Sequence, residues 1–174
     1  MFTIPQNQPV NLFPKGQALK TCPLHIFLHF TQNALTKITL EEGEDFALWM
    51  PPDFPQADEV VAWFSHYLRG NIGPFPLPLK TLGGFTKRVL DYLLTIPFGQ
   101  TASYKEVAVG IGCPVGARAV GNACHNNPFP LVIPCHRVVK SDRSLGGFAY
   151  GLTIKKELLE FECTIHKQLQ KSGI

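Results

Sequence analysis

SYKEVAVGIGCPVGARAVGNACHNNP, Ser103–Pro128, carries its own punctuation. Ser103 followed three residues later by Glu106 is a capping box, in which a hydroxyl and a carboxylate satisfy reciprocal backbone donors, so a short helix starts at Ser103. That helix stops at Gly110–Gly112, Pro114 opens the next turn, and a second helix runs over about Val115–His125 until Asn126–Pro128 ends it. Two short helices joined by a glycine-containing turn make a helix-turn-helix pattern. The second helix is nearly bare: Gly116, Ala117, Ala119, Gly121 and Ala123 are small, and Arg118 is its one long cation. Small residues permit close approach, either of a neighbouring helix or of a narrow groove into which Arg118 would project.

Working back from this stretch, Phe85, Val89, Leu90, Leu93 and Leu94 form the apolar stripe of a helix over Phe85–Thr95, ended by Pro97. Residues 70–84 hold three prolines and four glycines and read as an interdomain linker. Before it, Leu24–Phe30, Thr36–Leu40 and Phe46–Met50 read as strands of a small antiparallel sheet, with a turn at Glu41–Asp45. From Asp58 the pattern becomes helical, with Val60, Val61, Phe64, Tyr67 and Leu68 on one face and Gly70 at the stop. The expected fold is α+β: an N-terminal α/β subdomain (1–80), ribonuclease H-like, and an all-α, winged-helix-like helix-turn-helix subdomain (81–174).

The chain of 174 residues is 45% hydrophobic and 17% charged, which excludes disorder for the bulk of it. No apolar run approaches the roughly 18–20 residues of a membrane helix, and the N-terminus lacks the pattern of a signal peptide. Five cysteines without a C-x-x-C pair suit a reducing compartment, so a soluble cytoplasmic protein with no membrane association is expected. The net charge of +3 conceals an asymmetry: residues 1–80 sum to −2 and residues 81–174 to +5, which suits a polyanionic partner for the C-terminal part.

Chemistry concentrates at PFPLVIPCHRVV, Pro128–Val139, where the apolar run Leu131–Ile133 ends at Pro134 and presents Cys135 at a turn. A thiol is a poor nucleophile at its ordinary pKa; His136, Arg137 and a distant carboxylate are candidates to activate it. Zinc is disfavoured at Cys124–His125 and Cys135–His136, because helix neighbours diverge by about 100°. Cys22, His25 and His29 form a second set, but the two histidines alternate with apolar residues in a strand, facing one side with Phe27. No metal and no cofactor is assigned.

These residues together resemble the O6-alkylguanine-DNA alkyltransferase family, also called methylated-DNA–protein-cysteine methyltransferases. The resemblance rests on IPCHRVV at Ile133–Val139, ARAVG at Ala117–Gly121, Asn127–Pro128, Ser103–Tyr104 and the distal Glu162, and covers about Phe85–Glu162. It implies DNA repair by irreversible transfer of an alkyl group from O6-alkylguanine, and from O4-methylthymine, to Cys135, each molecule acting once. It further implies that His136 takes the thiol proton through a water, that Glu162 orients His136, and that Tyr104 donates to the leaving guanine. The base would be flipped from double-stranded DNA, with Arg118 filling the vacated stack and the small-residue helix in the minor groove. Ser103, Ala117, Ala119, Gly121 and Asn122 would face the DNA. Asn127 would tie the recognition helix to the active-site turn. Val138, Phe148, Ala149, Tyr150 and Lys155 would line or support the base pocket, and the protein would act as a monomer.

This sequence departs from some relatives. Cys124 stands where they have methionine, Phe148-Ala149-Tyr150 replaces an aromatic-Ser-Gly loop, and the bulkier Tyr150 counts against large alkyl groups. The histidine of their zinc set has no counterpart around Leu79–Lys80. Two rival readings are a non-catalytic helix-turn-helix DNA-binding protein, against which the presence of Cys135 argues, and a cysteine hydrolase using Cys135 and His136.

Overall fold

The computed structural model describes residues 8–11, 24–31, 34–51, 53–80 and 83–172. Cys22, one of the residues weighed for a metal, lies outside them. The chain divides into two compact units, Met1–Leu79 and Lys80–Ile174.

In the first unit, β1 (Gln8–Asn11), β2 (Leu24–Thr31), β3 (Ala34–Glu42) and β4 (Ala47–Met50) form a sheet in the order β1-β4-β2-β3. The period-two pattern of β2 buries Leu24, Ile26 and Leu28, while His25, Phe27 and His29 take the other face. Each histidine has a local partner there: His25 Nε2 meets Asp45 Oδ1 at 3.2 Å, and His29 Nε2 meets Thr39 Oγ1 at 2.8 Å. The β2–β3 hairpin is antiparallel, but the sheet as a whole is mixed, which corrects the antiparallel expectation: β4 pairs antiparallel with β1 and parallel with β2. The reason is topological. β3 returns the chain to the start of β2, so a strand that then takes the free edge of β2 must run in its direction. Helix α1 (Ala57–Tyr67) buries Val60, Trp63, Phe64 and Tyr67, the i, i+3, i+4, i+7 stripe of an amphipathic helix. No helix or strand forms over 71–80.

The second unit holds α2 (Gly84–Leu93), β5 (Ala102–Ser103), α3 (Tyr104–Gly110), α4 (Ala117–His125), a single 3₁₀ turn (Cys135–Arg137), β6 (Val138–Val139) and α5 (Leu152–Lys171). The capping box forms at the start of α3: Glu106 N donates to Ser103 Oγ at 3.1 Å and Ser103 N to Glu106 Oε2 at 2.5 Å. The unit is helical, as expected, with one addition. β5 and β6 make a short parallel ladder, Ala102 opposite Val138 and Ser103 opposite Val139. That ladder sets the capped end of α3, whose first residue is Tyr104, beside the strand that leaves the Cys135 turn.

Helix α5 is not anticipated by the sequence reading, because its buried stripe is not purely apolar. Ile154, Lys155, Leu158, Phe161, Glu162 and Ile165 are buried at helical spacing, and two of them are charged. Those two define the site.

Candidate active site

The segment Phe129–Pro134 delivers Cys135 through a constrained turn. Leu131 is buried with φ of 70°, the left-handed region, which costs a non-glycine residue about 1–2 kcal/mol. Asn127 holds the turn in that shape: its Oδ1 accepts from Phe129 N at 3.0 Å and its Nδ2 donates to Ile133 O at 2.8 Å. The same Nδ2 lies 3.1 Å from Cys135 Sγ. Burial pushes the Cys135 thiol up, against the opposing pull of the Asn127 amide and the Lys155 charge, so the sulfur rests as a protonated thiol.

Behind Cys135 lies a buried charged network. Glu162 Oε1 accepts from His136 Nε2 at 2.8 Å and from Arg137 Nη2 at 2.9 Å, while Oε2 accepts from Arg137 Nε at 2.9 Å and Gly99 N at 3.1 Å. Arg137 Nη1 also donates to Ile96 O at 2.7 Å, and its guanidinium lies over the Phe98 ring. Burial acts to raise the Glu162 pKa, but the contacts with His136 and Arg137 outweigh it and bring the carboxyl down to about 2. Burial lowers the His136 pKa despite the carboxylate beside it, so the imidazole is neutral. An ionised Glu162 can only accept, which places the His136 proton on Nε2 and leaves the lone pair on Nδ1. His136 Nδ1 is buried and makes no hydrogen bond among the described residues. It is the free base of the site.

Gly99 reaches this network because it is glycine. Its φ is +75°, and a Cβ there would stand 2.5 Å from His166 Cβ.

Lys155 anchors the loop that carries Gly147. Its buried ammonium donates to Val138 O at 2.6 Å, Leu145 O at 2.5 Å and Gly147 O at 3.1 Å, and sits 5.9 Å from the centre of the Tyr104 ring. Burial lowers its pKa to about 8. Tyr104 donates its hydroxyl to Gly147 O at 3.3 Å; burial, with the neighbouring thiols, raises its pKa and keeps the proton on. Gly146, at φ +68°, lets the loop lie against that ring, since a Cβ would stand 2.9 Å from it.

Two clefts open beside Tyr104. One, of about 270 Å³, exposes Cys135 among Tyr104, Asn122, Cys124, Phe148 and Ala149. The other is a more open groove of about 420 Å³, lined by Ala117, Arg118 and Gly121 from α4 together with Lys105 and Lys140. Gly121 borders both, and its missing side chain leaves the Tyr104 ring accessible from the helix. Arg118 and Ala119 are exposed, and Ala119 lines neither cleft.

Residues 84–164 match the family model described as 6-O-methylguanine DNA methyltransferase, DNA binding domain. The methylated-DNA–protein-cysteine methyltransferase of Mycobacterium leprae (strain TN) is 42% identical over 115 residues, 66% of this chain and 69% of that one. The chain belongs to the methylated-DNA–protein-cysteine methyltransferase family. A protein of that name from Methanosarcina barkeri (strain Fusaro / DSM 804) is 48% identical over 105 residues, 60% of this chain and 66% of its own length. Among solved structures, Mycobacterium tuberculosis OGT in complex with DNA aligns with a TM-score of 0.66 and 33% identity, covering 81% of this chain and 94% of that one.

In this member of the methyltransferase family, Cys135 and Tyr104 line the smaller cleft with Phe148 and Ala149, whereas Asn127, His136, Glu162, Lys155 and Tyr150 do not: Asn127 reaches Cys135 Sγ, Glu162 holds His136, and Lys155 holds Gly147 O, which borders the cleft. Val138 contributes its carbonyl to Lys155, its side chain being buried. Ser103 serves as the cap of α3 and is itself buried. Tyr150 is half-buried, edge-on to Phe148 with ring centres 5.7 Å apart. Gly99 and the bidentate use of Arg137 are the parts of the site that the sequence does not reveal; the only signal is that Arg137 follows His136 directly. Among the described residues no helix is long and apolar enough to cross a membrane.

Proposed function

We propose that this chain repairs DNA by moving the methyl group of O6-methylguanine irreversibly onto Cys135. The observation that carries the reading is a thiol facing a base-sized cleft, backed by a neutral histidine whose unoccupied nitrogen is fixed by an ionised carboxylate. The Cys135 proton passes through a water to His136 Nδ1, and the sulfur attacks the methyl carbon in line. The S–C bond forms as the C–O6 bond breaks, and Tyr104 donates to the guanine as negative charge develops on it. Guanine remains in the DNA, intact. The thioether is stable, so each molecule acts once.

A methyl group on a stacked base is out of reach of a buried thiol, so the nucleotide is extruded into the cleft, at an unstacking cost of a few kcal/mol. Helix α4 serves this step in the minor groove: Ala117, Gly121 and their small neighbours allow close approach to double-stranded DNA, and Arg118 takes the place of the departed base. Ala119 and Asn122 contact the backbone around it, whereas Ser103, buried and engaged at both Oγ and N with Glu106 in the cap of α3, does not face the DNA as expected. O4-methylthymine offers the same methyl–oxygen bond and is a second substrate. The protein works as a monomer in the cytoplasm, where the odd cysteine count is compatible with free thiols.

The test is transfer from a duplex oligonucleotide carrying labelled O6-methylguanine. Label should plateau at one methyl per chain, and Cys135→Ala should accept none while still binding the duplex. Continued turnover would favour the hydrolase, and full DNA binding with no transfer by the unaltered protein would favour a non-catalytic binder.

A further inference from the structure

Arg137 has no part in the transfer chemistry, yet it occupies a costly position. Its side chain is buried, it spends two donors on Glu162 and a third on Ile96 O, and its guanidinium covers Phe98. A buried ion pair of this kind is at best a weak source of stability, so its placement calls for another reason. That reason lies in which atom of Glu162 it touches. Arg137 Nη2 and His136 Nε2 share Oε1, the oxygen on which the histidine depends.

We propose that Arg137 is a positioning residue of the transfer site, whose guanidinium keeps Glu162 a pure acceptor and thereby locks the His136 proton on Nε2. The inference rests on the alkyl-transfer reading only for its consequence in rate. Without the cation, burial would favour the neutral form of Glu162. A protonated carboxyl can donate to His136 Nε2, and the ring then carries its proton on Nδ1, the nitrogen that must receive the Cys135 proton. The site would hold every residue in place and lack a base. Around Glu162 the groups that matter are His136 and Arg137 from the turn, the Gly99 N–H from the α2–β5 loop and His166 one turn further along α5; His136 also feels Lys155.

Two readouts decide it, in the full chain. Nitrogen NMR of the His136 ring should show the Nε2–H tautomer throughout the neutral range in the unaltered protein, and a growing share of Nδ1–H below neutrality in Arg137→Met. The ratio of the variant's single-turnover rate to that of the unaltered protein should fall about tenfold per pH unit below the new carboxyl pKa, as the ionised fraction does. Arg137→Lys, which keeps the charge, should restore both. If Arg137→Met does not fold, Arg137→Gln, with its two amide donors and no charge, carries the same comparison. An unchanged tautomer with a pH-independent rate ratio in the uncharged variant would overturn the proposal and leave Arg137 a packing residue. Absence of transfer by the unaltered protein would contradict the functional reading alone, because the NMR result does not depend on it.

Discussion

Lys155 and Glu162 stand seven residues apart on the buried face of α5, Lys155 holding the carbonyls behind the cleft and Glu162 holding His136. One helix thus supports both the loop at Gly147 and the histidine beside Cys135. A base supplied by a positioned histidine contributes about 10²–10⁴-fold, so His136→Gln should slow methyl transfer by that range while duplex affinity stays within twofold of normal, a ratio read from rapid-quench transfer and equilibrium binding.

The Glu162 network also sets acid stability. The Glu162 pKa is depressed to about 2 in the folded protein, so its stabilisation is complete above the ordinary carboxyl range near 4.5 and is lost as pH falls from there toward 2. His136, buried and neutral, acts with the same sign, since the unfolded chain binds its proton first as pH drops below about 6.5. Urea midpoints should therefore fall on acidification from neutrality, and the part due to Glu162 below about pH 4.5 should vanish in Glu162→Gln, which will itself be less stable at neutral pH.

Extrusion and chemistry separate at Arg118 and Tyr104. Arg118 is exposed on α4 and away from Cys135, so Arg118→Ala should slow repair of duplex DNA much more than reaction with the free modified base, where nothing is unstacked. On the proposed role of Tyr104 as donor to the leaving guanine, Tyr104→Phe should slow both substrates, by about 10²–10³-fold for one preorganised donor. Single-turnover rates on the two substrates, with a melting curve for each variant, make the check.

Cations around the open groove govern affinity. Lys105, Arg118 and Lys140 line it, so the logarithm of duplex affinity should fall linearly with the logarithm of salt, and Lys105→Ala or Lys140→Ala should each lower the slope by about 0.9 if it meets one phosphate. Flanking sequence should matter little, because the minor groove offers a degenerate pattern.

Much of this was legible in the chain because it is written locally. The capping box at Ser103 and Glu106, the glycine turn before α4 and the Pro134–Cys135 break depend on neighbours in sequence, and the structure forms each one. What depends on distant partners was not. The direction of β4 follows from which edge of β2 is free, and Phe46–Met50 alone does not carry that information. Helix α5 hides behind Lys155 and Glu162, whose charges interrupt the apolar stripe that marks a buried face. Gly99 looks like any loop glycine until His166 and Glu162 are brought beside it.

Cys135 as the methyl acceptor is tested by intact mass and peptide mapping after incubation with duplex DNA containing O6-methylguanine. Every reacted chain should carry a single added methyl, located on Cys135, with Cys22, Cys113, Cys124 and Cys163 unmodified. An unchanged mass once the DNA has lost its methyl group, or a methyl found on Cys124 in the same cleft, would contradict it.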